Sequence, residues 1–230
     1  MRVSLFGNDI ERIRPDVIRA GFPIVDSNPD IVISYGGDGT FLKAEHQFPQ
    51  VPKVLVRNSN TCRLCTNLPI DEVLKNLRWK DYSVFEITKL KVSAKGKELH
   101  GLNDIVVHNE NPRHAIRFDF TIGNRKENNI IGDGVVVATT FGSTGYYQSV
   151  THEPFSTGVG TAFNNTQRYI KPIVVPEEEF HAVLSLERGP AVVYVDNLEE
   201  SIQLEMGDTV EFSCSDQQAK VLILDEYPKP

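Results

Sequence analysis

The carboxylate of Asp38 stands among residues that otherwise invite an anion. The chain reads Gly36-Gly37-Asp38-Gly39-Thr40, between an apolar β-branched run (Asp30 to Tyr35) and a helix-like stretch (Phe41 to Phe48). A strand, a glycine turn and a helix start together make a phosphate cradle. Glycines let the backbone approach closely, and the first N–H groups of a helix point at the anion. Thr40 is placed to cap that helix with its hydroxyl. Asp38 would repel phosphate unless it has a compensating job. Two jobs fit: holding a magnesium ion, or taking a proton from a hydroxyl that attacks phosphorus. Both belong to phosphoryl transfer. A Gly-Gly-x-Gly turn alone is equally consistent with relief of strain between strand and helix, so the central Asp and a second motif decide the reading.

That second motif is Gly132-Asp133-Gly134, then Val135 to Ala138, then Thr139-Thr140-Phe141-Gly142-Ser143-Thr144-Gly145-Tyr146. A β-branched run again leads into a loop of glycines and hydroxyls, ending on an aromatic ring that can stack on a base. A third element, Asn103-Asp104, precedes the strand-like Ile105-Val106-Val107. Asn can pair with an adenine edge, and a carboxylate can accept both hydroxyls of a ribose. Taken in isolation, Asn103-Asp104 reads as an ordinary turn.

With these three elements the chain resembles the NAD kinase family. GGDGT is intact at Gly36 to Thr40, and the family's Asn-Glu is similar to Asn103-Asp104. Its D-G and S-T-P-T-G-S-T-A-Y signature resembles Asp133-Gly134 followed by Ala138 to Tyr146. Thr161 to Asn165 and Val193-Tyr194-Val195-Asp196 resemble later family segments. GGDGT is shared with diacylglycerol and sphingosine kinases; its combination with GSTGY is the specific signal. The resemblance implies transfer of a phosphate from ATP, or from polyphosphate, to the 2′-hydroxyl of the adenosine ribose of NAD, giving NADP with magnesium as cofactor. It implies Asp38 as the base and Gly36, Gly37, Gly39 and Thr40 as the phosphate loop. Asn103, Asp104, Asp133, Ser143, Thr144, Gly145, Tyr146, Thr161 and Asn164 would hold NAD.

The departures are specific. Asp104 keeps the charge of Glu but is one methylene shorter, Gly145 stands for Ala, Phe141 for Thr, and Asp196-Asn197 for Asp-Gly. Where the family reads N-x-G-x-L-G-F-L-T, this chain reads Asn58-Ser59-Asn60-Thr61-Cys62-Arg63-Leu64-Cys65-Thr66, with both glycines gone. That loop must take another path. The sequence ends at Pro230 without the closing helix of many members. Two rival readings stay open: a lipid kinase of the diacylglycerol type, and a dinucleotide-binding relative without catalysis.

The positioning elements fall into two groups. Strands are predicted at Val3–Phe6, Ile31–Tyr35 and Lys53–Arg57, alternating with helices at Glu11–Ala20, Phe41–Phe48 and Ile70–Arg78. Such alternation indicates a parallel sheet with helices on its faces, a Rossmann-like α/β domain over 1–86. From 87 to 230, short β-branched segments recur between turns, which predicts a β-sandwich whose last strand packs back on the first domain. One short helix is expected after GSTGY. The glycine loop belongs to the first domain and GSTGY to the second, so both are expected to contribute to the substrate site.

Composition agrees with a globular enzyme: 40% hydrophobic, 24% charged and a net charge of −7. The acidic balance argues against a nucleic-acid surface, which needs a basic footprint. No apolar run reaches membrane-span length and no signal peptide is read at Met1–Gly7, so a cytoplasmic protein without a membrane partner is expected. ATP and NAD are the expected small-molecule partners, and family members are often dimers or tetramers, so a homo-oligomer is expected. Among the cations, Arg57 and Arg63 are ranked as charge partners for the phosphate loop. Lys89, Lys91, Lys95 and Lys97 are read as a solvated edge. Cys62, Cys65 and Cys214 offer no second pair for zinc and are read as reduced thiols.

Overall fold

The computed structural model describes residues 1–224. The chain divides into two compact units, one comprising Met1–Ile87 with the chain from Gln218, the other Thr88–Gln217.

The first unit begins with β1 (Val3–Phe6), α1 (Arg14–Arg19) after a 3₁₀ turn, and β2 (Ile31–Gly36). α2 (Asp38–Gln47), β3 (Lys53–Arg57) and α3 (Ile70–Trp79) follow. β1, β2 and β3 pair in parallel, with Val3 opposite Ile31 and Ile33 opposite Val54. Alternation along β2 sends Ile31 and Ile33 to one face, against Val17 of α1 and Leu74 and Leu77 of α3. Val32 goes to the other, against Ala44 and Phe48 at α2. Helices on both faces explain why β2 and β3 read as unbroken apolar runs. The predicted helix at Glu11–Ala20 is split, because Pro15 sits in the first turn of α1 and has no N–H to continue a helix from Ile10.

β4 (Ser83–Ala94) carries the chain into the second unit and forms a hairpin with β5 (Lys97–Gly101). Then come β6 (Asp104–Asn109), β7 (Ile116–Ile122), β8 (Arg125–Gly132) and β9 (Gly134–Ala138). α4 (Tyr146–Thr151), β10 (Val159–Asn164), β11 (Ile173–Val175) and β12 (His181–Arg188) are next. β13 (Ala191–Val195), β14 (Ile202–Leu204) and β15 (Thr209–Ile223) complete the described chain. One sheet runs β11-β10-β9-β6-β13-β14, all antiparallel. Facing it, β8-β7-β12-β15 form the second layer. Ile105, Val107, Val135, Val137 and Phe163 of the first layer pack on Phe118, Phe120, Leu184 and Phe212 of the second. Phe120 meets Phe163 edge-on at 5.4 Å between ring centroids. The second unit is therefore a β-sandwich.

Two of the β-branched segments, Thr209–Cys214 and Val221–Leu224, belong to one strand, β15. β15 pairs with β12 through Thr209–Ser213 and, further on, Val221 pairs in parallel with Lys53 of β3. The polar stretch Ser215–Lys220 hid that continuity. β8, rich in charge and Asn, gave no alternation because an edge strand keeps its polar groups in water. The lysine reading is corrected at one position: Lys89 is buried, whereas Lys95 and Lys97 are exposed and, with the half-buried Lys91, pair with Asp208, Glu200 and Glu98.

A buried ion pair anchors the end of α2. Lys53 and Glu45 are 0% and 1% exposed and bonded to each other, and the Lys53 ammonium also donates to Phe48 O (2.6 Å) and Val51 O (2.7 Å). Glu45→Ala is expected to cost about 3–5 kcal/mol, because it leaves a buried ammonium without its counter-charge. Urea titration checks this. A loss below 1 kcal/mol would mean that water reaches the pair.

Candidate active site

In the first unit β2 ends at Gly36 and α2 begins at Asp38, with Gly37 as its N-cap. The expected cap by Thr40 is not made: Thr40 lies inside the first turn, no side chain caps the helix, and the Thr40 N–H donates to Gly37 O (3.0 Å). Its side chain folds over Gly36 instead, where an added Cβ would fall 2.2 Å from Thr40 Oγ1. At Gly37 a Cβ would fall 2.7 Å from Thr61 O. These two glycines are required by packing. Gly39 differs: a Cβ there would meet no atom within 4 Å. Asp38 is half-buried and accepts the Arg63 N–H at Oδ1 (3.0 Å).

Arg63 belongs to the divergent loop 58–66, which therefore reaches the carboxylate through backbone. The loop is tied down at several points. Asn58 N–H donates to Gly36 O (3.0 Å), and its amide donates to Asp9 (3.0 Å). Arg57, ranked above as a phosphate partner, donates to Asn67 Oδ1 (2.9 Å) and Cys62 O (2.9 Å) and so braces the loop. Cys62 and Cys65 are disulfide-bonded, which corrects the reading of them as reduced thiols, while Cys214 is free.

In the second unit the turn Leu102-Asn103-Asp104 is organised by one side chain. Asp196, at the end of β13, accepts the N–H groups of Leu102 (2.7 Å), Asn103 (2.7 Å) and Asp104 (3.0 Å). Its own N–H donates to Asp104 O (2.9 Å). Asn103 O in turn accepts Thr139 N–H (3.1 Å), and Thr139 Oγ1 donates to Leu102 O (2.7 Å). Gly142 sits so close to this turn that a Cβ would lie 1.9 Å from Asn103 O. The hydroxyl-rich loop is thus moulded onto the Asn103-Asp104 turn.

Asp104 is 7% exposed, receives the Asn103 amide at 3.0 Å and accepts the Tyr146 N–H. Burial, with the Asp196 charge second, raises its pKa to about 7, against the pull of the two donors. Burial also raises the Tyr146 phenol, aided by Asp133 and Asp104. Tyr146 OH accepts the Asn164 amide (3.1 Å), and that amide nitrogen lies 3.4 Å from His108 Nε2. Asp133 accepts the amides of Asn109 (3.1 Å) and Asn165 (2.8 Å). Gly134, at φ +151, runs so close to Val107 O that a Cβ would lie 1.8 Å away, which explains the glycine after Asp133.

The structure therefore gathers Asn103, Asp104, Asp133, Gly145, Tyr146 and Asn164 and leaves two expected members apart. Thr161 is fully buried on the core-facing side of β10, between Val159 and Phe163. Ser143 is buried and its hydroxyl donates to Thr140 O (2.9 Å) within the loop. Thr144 and Gly145 are exposed. The sequence reading gave no individual role to Asp196, Asn109, Asn165 or His108. Asp196 was signalled only by its place after a V-x-V strand.

A doubly wound unit with a glycine-flanked carboxylate, followed by a sandwich with an acid–amide cluster, defines the kinase class that carries GGDGT. Residues 102–224 match the ATP-NAD kinase C-terminal domain. An NAD kinase of Thermoplasma volcanium is 31% identical over 209 residues, covering 87% of this chain and 76% of that protein. One of Saccharolobus islandicus is 29% identical over 180 residues, covering 75% and 70%. The fold is shared with an Archaeoglobus fulgidus NAD kinase solved with ATP (TM-score 0.78, 22% identity, 98% of this chain and 94% of that one). It is also shared with yeast NADH kinase solved with NADH (TM-score 0.80, 17% identity, 98% and 84%). The chain belongs to the NAD kinase family.

Since the folded protein holds the Asp104 proton more tightly than the unfolded chain, whose ordinary value is 3.8, this group's stabilising contribution is full below about pH 4. It is lost as pH rises through about 7. Urea denaturation between pH 4 and 8 is expected to show that decline, and Asp104→Asn to flatten it. Asp196→Asn is expected to move the Asp104 midpoint downward. An unchanged pH profile in Asp104→Asn would assign the slope to other groups.

Proposed function

We propose that this protein transfers the γ-phosphate of ATP, with polyphosphate as the alternative donor, to the 2′-hydroxyl of the adenosine ribose of NAD. Asp38 accepts the proton of that hydroxyl as its oxygen attacks phosphorus. The observation that carries this reading is the anchored carboxylate at the first position of α2, next to a glycine with open space around it. Gly39 and the first N–H groups of α2 meet phosphate, because no protein atom requires the missing side chain and the helix start favours an anion. Gly36, Gly37 and Thr40 shape that loop.

NAD is bound through Asn103, which faces the adenine edge, and Asp104, which accepts ribose hydroxyls. Tyr146, with Thr144 and Gly145, contacts the bases, and Asp133 and Asn164 fix the other end of the dinucleotide. Ser143 and Thr161 support the loop and strand that carry these contacts. Catalysis is by positioning and charge, with no covalent intermediate. Among the described residues no three His, Cys, Asp or Glu side chains form a metal cage. Asp38 therefore fits a magnesium held mainly by phosphate oxygens. When bound, that ion offsets phosphate charge, as no Walker-type Lys follows the glycines.

The test is NADP formation from NAD, ATP and magnesium, with polyphosphate in parallel. Asp38→Asn is expected to lower kcat on the order of 10²–10⁴-fold while NAD still binds. Wild-type turnover in that variant would remove Asp38 from the base role, and NAD binding without product in the wild type would leave a non-catalytic binder. Gly39→Ala is expected to fold normally, since no clash arises within 4 Å, and to raise KM for the donor. An unchanged donor KM would take phosphate away from Gly39.

A further inference from the structure

The disulfide of loop 58–66 encloses the group that touches Asp38. Cys62 and Cys65 close a ring of which Arg63 is a member, and the Arg63 N–H donates to Asp38 Oδ1 at 3.0 Å. The ring is seated on the glycine motif. Cys65 is 4% exposed with Sγ 3.6 Å from Gly36 O, and the Cys62 carbonyl is held by Arg57 at 2.9 Å. Thr61 O lies where any side chain at position 37 would go. Cys62 is half-buried, so the two sulfurs differ in access. So short a ring constrains the unfolded chain little, and its effect on the native state is local: it fixes the torsions that aim the Arg63 N–H.

We infer that Cys62–Cys65 is a thiol–disulfide exchange site for dithiol reductants, and that its oxidised form positions Asp38 for catalysis through the Arg63 N–H. The inference rests on the reading of Asp38 as the base. A dithiol attacks as its thiolate at the more accessible Cys62 sulfur; the S–S bond breaks and Cys65 leaves as thiolate, taking a proton. The second thiol of the reductant then attacks the mixed disulfide, releasing Cys62 as a thiol. Two electrons and two protons pass from the dithiol, which becomes a cyclic disulfide, to the cysteine pair. In the reduced loop Cys65 can donate its S–H to Gly36 O, while the Arg63 peptide regains its torsional freedom and Asp38 loses a fixed donor. Cys214 lies outside this loop, and burial raises its thiol to about 11, which keeps it a poor nucleophile.

The test compares purified wild-type protein before and after excess dithiothreitol, which is then removed. The denatured thiol count is expected to rise from one to three. kcat is expected to fall roughly ten-fold, the scale of one lost hydrogen bond to a charged group. KM for NAD is expected to stay within about two-fold, since the NAD contacts are not touched. Reoxidation by a small disulfide restores kcat. Cys62→Ser/Cys65→Ser is expected to match the reduced enzyme and ignore dithiothreitol, whereas Cys214→Ser keeps the response. The NMR resonance of the Arg63 amide proton is expected to move upfield both on reduction and in oxidised Asp38→Asn. Three thiols before reduction, or equal kcat in both thiol states, would overturn the inference. Full activity of Asp38→Asn alongside a redox-sensitive Arg63 amide would sink the base assignment and leave the exchange site standing.

Discussion

One carboxylate, that of Asp196, accepts three consecutive backbone N–H groups and thereby fixes the turn on which the second unit's site is built. An isolated turn of this kind would exchange its N–H groups with water and sample many conformations. Held by a charged acceptor, it presents a fixed carbonyl at Asn103, against which Thr139 and Gly142 are placed. The same clamp brings a second negative charge near Asp104, and with burial this keeps Asp104 protonated well above the ordinary carboxylate range. Burial is the larger cause of that proton affinity, and the clamp that organises the turn adds the second.

The first unit solves a parallel problem with backbone in place of a side chain. Asp38 accepts a backbone N–H from loop 58–66. The loop carries no glycine and holds two cysteines that cross-link. Its braces come from Arg57, Asn58 and Asn67, and of these Arg57 is the one that a charge-based reading sends toward phosphate.

Glycines divide by physical cause. Gly36, Gly37, Gly134 and Gly142 are demanded by atoms of the protein itself, whereas Gly39 is not. That separation turns a motif into a testable division of labour between glycines that the packing requires and one that it does not.

Much of the molecule was legible in the sequence because its signals are local. β2, the glycine turn and α2 follow from a β-branched run, three glycines and a helix former, and the sandwich follows from recurring short alternating segments. The motifs at Gly36–Thr40, Asn103-Asp104 and Asp133–Tyr146 carried the site for the same reason. What the sequence hid depends on partners distant along the chain. Asp196 reaches back more than ninety residues to its three donors, and the strand phase of β10 turns Thr161 into the core while Asn164 meets Tyr146. Thr40 lost its capping place to a helix that starts two residues earlier, and the cysteines paired because the loop folds onto the glycine motif. Local composition determines which elements form and which groups are available. Which of those groups face one another is settled only when strands choose their register and bury one face, since a shift of a single residue sends a side chain to the opposite side.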